Sequence, residues 1–168
     1  LTIAEREFLR SLGWDALDRP TLDWPSGLAL GPLGGWMVAT FLVCGALLGL
    51  FGWALRTDLK PGLSASIGTT LVMLAGLAMM GEAFLTDPLL DPGPRTWHGI
   101  LHDVFFVLLG LTLMPGMLAL GHAFRRDERW RSLSLYTWGT AALTLPTFFF
   151  KGPSFYVFLT AILLWSEV

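Results

Sequence analysis

Residues 104–124 read VFFVLLGLTLMPGMLALGHAF, without a single Asp, Glu, Lys or Arg. An α-helix needs about 20 apolar residues to cross a hydrocarbon core, so this stretch alone is long enough. Residues 24–55, 61–81 and 132–150 are equally free of charge. Together these runs predict an all-α fold, a polytopic transmembrane helical bundle with spans at 33–55, 63–85, 99–122, 132–150 and 154–168. The composition agrees. Of 168 residues, 54% are hydrophobic and 14% charged, with a mean hydropathy of +0.61. Soluble domains carry roughly 25% charged residues. A soluble enzyme and a disordered tail are both excluded. A nucleic-acid binder is excluded too, because it would show a basic excess and the formal charge here is −2.

The few charges are unevenly placed. The 55–62 turn holds Arg56 and Lys60, and the 123–131 turn holds Arg125, Arg126, Arg129 and Arg131, whereas the opposite turns hold only Arg95 and Lys151. The positive-inside rule puts the first two turns in the cytoplasm. Residues 1–32, the 86–98 loop and the 151–153 turn then face outward. Trp36 and Trp97 fall at the outer interface and Trp53 and Trp130 at the inner one, where an aromatic belt belongs. The expected location is therefore the cytoplasmic membrane, in multi-pass form, with the lipid bilayer as the first partner. Pro115 and Pro146 predict kinks within two spans, and neighbouring helices can re-satisfy the freed carbonyls. Gly45 and Gly49 form a small-xxx-small pair, where another helix can approach closely. Cys44, the single cysteine, cannot form an internal disulfide or a CxxC site and reads as a small apolar filler.

The chain divides into an outward-facing N-terminal segment, 1–32, and the bundle, 33–168. Thr2-Ile3-Ala4-Glu5 reads as a capping box. It opens a short amphipathic helix with Leu1, Ala4, Phe8, Leu9 and Leu12 largely to one side, suited to lying on the membrane or folding over the bundle's mouth. Residues 18–35, DRPTLDWPSGLALGPLGG, read as an ordered loop. The N-terminus is too charged for a cleavable signal peptide. Because the chain starts at Leu1 and its last apolar stretch runs almost to the end, the expectation is that the natural protein extends further. One upstream span would return the N-terminus to the cytoplasm and make six spans in all.

One polar constellation stands out at the outer end: Glu82, Asp87 and Asp91, then Trp97-His98-Gly99-Ile100-Leu101-His102-Asp103. His98 and His102 are four apart and share a helical face. Zinc sites use His pairs at this spacing, so one reading is a divalent metal such as zinc held by His98 and His102. Glu82, Asp87, Asp91 and Asp103 are then candidates for a third ligand or an acid–base role. Gly99 follows the first histidine, so the Glu of an HExxH protease is absent. The plainer reading is a polar knot in which Thr96 caps the helix and the His and Asp side chains tie the outer loop down. His122 lies about 30 Å from His102 along the same helix, at 1.5 Å per residue, and cannot join them. Ser64 and Ser66 belong to the opposite end of their span, which disfavours a Ser–His pair. Transport would place ionisable groups near the midplane, which is apolar here. CxxCH haem attachment is absent, and Phe148-Phe149-Phe150 reads as lipid-facing surface.

Three runs then carry a resemblance: Thr86-Asp87-Pro88, Trp97 to Asp103, and Ala123-Phe124-Arg125-Arg126. With Asp23-Trp24-Pro25-Ser26-Gly27-Leu28-Ala29-Leu30-Gly31-Pro32 before the first span, the sequence resembles the domain-of-unknown-function 998 family of small bacterial membrane proteins over nearly its whole length. The resemblance implies six spans in a bacterial inner membrane, and His98, His102 and Asp87 as signature polar residues. It brings no activity with it. Two functions are therefore expected in order. The first is a non-catalytic accessory or assembly subunit that docks other membrane subunits. The second is a metal-dependent interfacial hydrolase acting on lipid or isoprenoid head groups through His98 and His102. The lack of a forced third ligand and of a recognisable nucleophile favours the non-enzymatic reading.

Overall fold

The charge-free runs form helices because in hydrocarbon a helix satisfies its own backbone. A computed structural model describes residues 4–13, 25–88 and 93–144. Its regular elements are α1 (Arg6–Ser11), a 3₁₀ turn at Pro25–Leu30, α2 (Gly35–Asp58), α3 (Leu63–Gly81), α4 (Trp97–Arg126) and α5 (Arg131–Thr144). Among the described residues there is no strand. Helices α2, α3 and α4 are each long and apolar enough to cross a membrane. The 14 described residues of α5 cover the first part of the span expected at 132–150. The span expected at 154–168, together with Pro146, Phe148-Phe149-Phe150 and Lys151, lies outside the described residues.

The helices pack in chain order, α3 between α2 and α4, with α5 against α4. Close approach of α2 and α3 depends on glycine. A Cβ on Gly76 would meet the Gly45 carbonyl oxygen and the Gly49 nitrogen, each at 2.6 Å, and one on Gly45 would meet the Gly76 carbonyl oxygen at 2.6 Å, whereas one on Gly49 would meet nothing, so Gly45 and Gly76 permit the crossing. Beneath this crossing Leu55, Leu59, Ala65, Val72, Leu120, Ala123 and Phe124 form one buried cluster. Ala75, Leu113, Met114, Met117 and Ala141 form a second between α3, α4 and α5. Two buried hydroxyls are satisfied within their own helices: Thr69 Oγ1 donates to the Ala65 carbonyl at 2.7 Å and Thr144 Oγ1 to that of Thr140 at 3.0 Å. Helix α4 runs uninterrupted through Pro115.

The arginine-rich turns are clasped by Asp127, which is 1% exposed. Its carboxylate accepts the backbone N–H groups of Lys60 and Arg129 and the Arg129 guanidinium, all at 3.2 Å. Arg129 also donates to the Asp58 carboxylate at 3.2 Å. Trp130 donates Nε1–H to Asp58 at 3.1 Å and stacks on Phe124. The Arg129 side chain first, then the Lys60 and Arg129 amides, hold the Asp127 carboxyl below the usual carboxylate range.

Two local expectations are corrected. Helix α1 starts at Arg6 with Glu5 as its N-cap residue, and no side chain caps it, so the expected capping box does not form around Glu5; Thr2 lies outside the described residues. Glu5 is 6% exposed, and its Oε1 accepts the Leu33 N–H at 2.5 Å. A buried carboxylate gains more from a charge-assisted bond to an orphan amide than from an end-of-helix contact, so Glu5 fastens α1 to the entrance of α2. Residues 25–30, expected as loop, wind into the 3₁₀ turn.

Candidate functional site

The exit of α3 and the entrance of α4 bring together five of the six expected site residues. Asp91 lies outside the described residues. The span expected at 63–85 stops earlier: α3 ends at Gly81, with Glu82 as its C-cap residue. The reason lies on α4. A helix end leaves carbonyls without partners, and His102, 5% exposed, fills that role. Its Nδ1 lies 3.0 Å from the Glu82 carbonyl oxygen and 2.8 Å from that of Phe84. A carbonyl oxygen only accepts, so Nδ1 carries the proton and donates. The Phe41 ring stands edge-on to the imidazole, centroids 6.3 Å apart.

One turn earlier, His98 does the same. Its Nδ1 lies 2.9 Å from both the Leu85 carbonyl oxygen and Thr96 Oγ1. Thr96 Oγ1 donates to Asp87 Oδ1 at 2.5 Å and accepts the Gly99 N–H at 3.1 Å, so His98 Nδ1 is again the donor. The i, i+4 histidine pair is therefore a ladder of two imidazoles gripping the segment that leaves α3. Among the described residues neither Nε2 has a hydrogen-bond partner.

Asp87 is the hub of the opposite strand of this clasp. It accepts the Thr96 hydroxyl and, at 3.2 Å, the Thr96 N–H, and Arg95 Nε lies 3.8 Å away. The Thr96 hydroxyl is the largest influence holding its carboxyl below the usual range, with the Thr96 N–H and the charge of Arg95 acting the same way. Gly99 is required here, because a Cβ on it would run into the Asp87 carboxylate. Asp103 is exposed and paired with Arg95. Glu82 is 6% exposed, and among the described residues its Oε1 has no hydrogen-bond partner.

Thr96 caps α4 as the sequence predicts. Sequence reasoning missed Arg95, whose bridge to Asp103 joins the loop to the first turn of α4. It also missed the Asp127 hub, for which an acid inside an arginine-rich turn was the available signal. His122 is exposed at the far end of α4, its ring 6.5 Å from that of Trp138. Among the described residues no three His, Cys, Asp or Glu side chains are grouped closely enough to hold a metal ion.

No curated protein and no solved structure matches this chain. The family described as Protein of unknown function (DUF998) matches residues 10–165, nearly the whole chain. With its apolar helices and the clasped HGxxH turn in place, the chain belongs to the DUF998 family of proteins of unknown function.

Proposed function

We propose that this chain is a non-catalytic accessory or assembly subunit of a membrane complex. In this reading it crosses the bacterial inner membrane five times within these residues, with the His98/His102 end outward. One observation carries the non-catalytic part. Asp87, Thr96, His98 and His102 are each bound to backbone or to one another, so the polar groups hold a turn in place. A hydrolytic site would instead present a base and a nucleophile to an open cleft. The docking part draws on α2, which buries Phe41, Gly45, Gly52 and Leu55 and exposes Val43, Leu47, Leu50 and Trp53, a face fit for lipid or a neighbouring span.

Elemental analysis joined to native mass measurement tests this. The expected result is a defined hetero-oligomer without stoichiometric zinc. An active monomer whose stoichiometric zinc is lost in His98→Ala/His102→Ala would refute it in favour of the interfacial hydrolase. Orientation is checked by labelling single cysteines at Gly93 and Glu128 in a Cys44→Ala background. An impermeant reagent added outside should reach Gly93→Cys alone.

A further inference from the structure

Between the last turns of α4 and the first turns of α5 lies a groove of about 570 Å³, lined by Arg125, Arg131, Ser134, Leu135 and Trp138. Its two cations differ from the third arginine beside them. Arg129 is bridged to both Asp58 and Asp127, whereas among the described residues neither Arg125 nor Arg131 has an ion pair. The groove is held in shape from below. Trp138 donates Nε1–H to the Leu118 carbonyl at 3.1 Å, and Ser134 donates its hydroxyl to that of Gly121 at 2.8 Å. The fixed indole in turn orients a cation, with Arg125 Cζ 5.9 Å from the Trp138 ring centroid. Leu135 is 78% exposed.

Two guanidiniums without an ion pair among the described residues thus line a groove together with an indole and an exposed leucine. Arginine forks match phosphate oxygens. A small anion would account for the arginines but not for the apolar wall, and a neutral lipid would account for the wall but not for the arginines. The groove also lies where the charge-free runs 104–124 and 132–150 meet the basic turn, the depth at which headgroups meet acyl chains.

We infer that this groove binds an anionic phospholipid, with Arg125 and Arg131 taking the phosphodiester oxygens and an acyl chain lying along Leu135 and Trp138. The inference rests on the helices crossing a bilayer and is independent of whether the protein is a non-catalytic subunit. Basic pockets between membrane helices on the cytoplasmic side are suited to such headgroups.

The test uses the full chain in neutral detergent, titrated with dioleoylphosphatidylglycerol or dioleoylphosphatidylcholine and read by native mass spectrometry and by the unfolding midpoint. Phosphatidylglycerol is expected to bind with defined stoichiometry and raise the midpoint. In Arg125→Gln/Arg131→Gln its affinity should fall about 25-fold, about five-fold for each arginine, while the midpoint in phosphatidylcholine stays at the parent value. Lys60→Gln/Arg126→Gln removes the same charge from a smaller hollow on the other side of α4 and should leave the affinity unchanged. Arg131→Lys keeps the charge but loses the fork, and should weaken binding several-fold even if the double variant fails to fold. Equal losses in the two double variants would reduce the effect to diffuse surface attraction and overturn the site. Competition by millimolar inorganic phosphate would overturn the lipid in favour of a free anion. Equal binding of phosphatidylcholine would overturn both.

Discussion

Replacing His102 separates a clasp from a metal ligand. In the structure one Nδ1–H serves two carbonyls, those of Glu82 and Phe84, beside a 6%-exposed Glu82. Removing the donor leaves carbonyls without partners where water reaches poorly, which costs about 2 kcal/mol. Truncation also opens space against Phe41, worth about 1 kcal/mol more. His102→Ala should therefore destabilise by about 3 kcal/mol. His102→Leu refills most of the volume and should cost about 2 kcal/mol. His102→Asn places an amide N–H at the δ position and should cost about 1 kcal/mol. Reversible unfolding in mixed micelles, followed by tryptophan fluorescence, measures the series. Hydrogen exchange of the 84–86 amides should rise in the order Asn, Leu, Ala. The δ-nitrogen argument fails if Asn is as damaging as Leu. It fails equally if all three variants match the parent in stability.

Further perturbations probe other contacts. Gly76→Ala pushes a methyl group into the α2 backbone at 2.6 Å and should cost about 1–3 kcal/mol by overpacking, whereas Gly49→Ala, with open space around it, should not destabilise; the same unfolding assay compares them. Gly99→Ala displaces the Asp87 carboxylate from Thr96 and should expose the 93–96 segment to limited proteolysis, while Gly93→Ala, which meets nothing, should not. Acid titration tests the two hubs together. Asp87 and Asp127 have folded-state pKa values below the ordinary one, so their ionised forms favour folding. That contribution is complete above the ordinary Asp pKa of about 3.9 and disappears as pH falls through the lower folded values. The midpoint should drop below about pH 4, and Asp87→Asn/Asp127→Asn should flatten that drop while lowering stability at neutral pH.

What could be read in the sequence divides by distance along the chain. Helices α2, α3 and α4 were legible because a long run without charge is a local property, and so was the Thr96 cap, whose partner is Gly99. The small-xxx-small pair named the α2 surface that another helix could approach, but not Gly76, which fills it. The end of α3 was misplaced because its stop signal is His102, 20 residues further on. Glu5 reads locally as part of a capping box, yet its partner is the Leu33 amide, 28 residues away. The histidine spacing correctly put two imidazoles on one face. It could not show that both Nδ1 atoms are engaged by carbonyls of the preceding helix exit.

The two ends of the bundle use charge differently, and the difference bears on where a ligand can bind. At the histidine end Asp87, Thr96, His98 and His102 are directed at backbone or at each other, and Arg95 is bridged to Asp103. At the other end six basic residues, Arg56, Lys60, Arg125, Arg126, Arg129 and Arg131, face three acids, Asp58, Asp127 and Glu128. Two of those acids bind Arg129. Orientation in a membrane needs only that the positive charges lie in the turn and is indifferent to which positions hold them. Their positions are nevertheless differentiated: Arg129 closes the clasp, while Arg125 and Arg131 flank a groove with an apolar floor. A topology signal alone would not need Trp138 fixed by a hydrogen bond beneath Arg125. The surplus positive charge thus suits an anion with an apolar tail, in keeping with the inferred lipid groove.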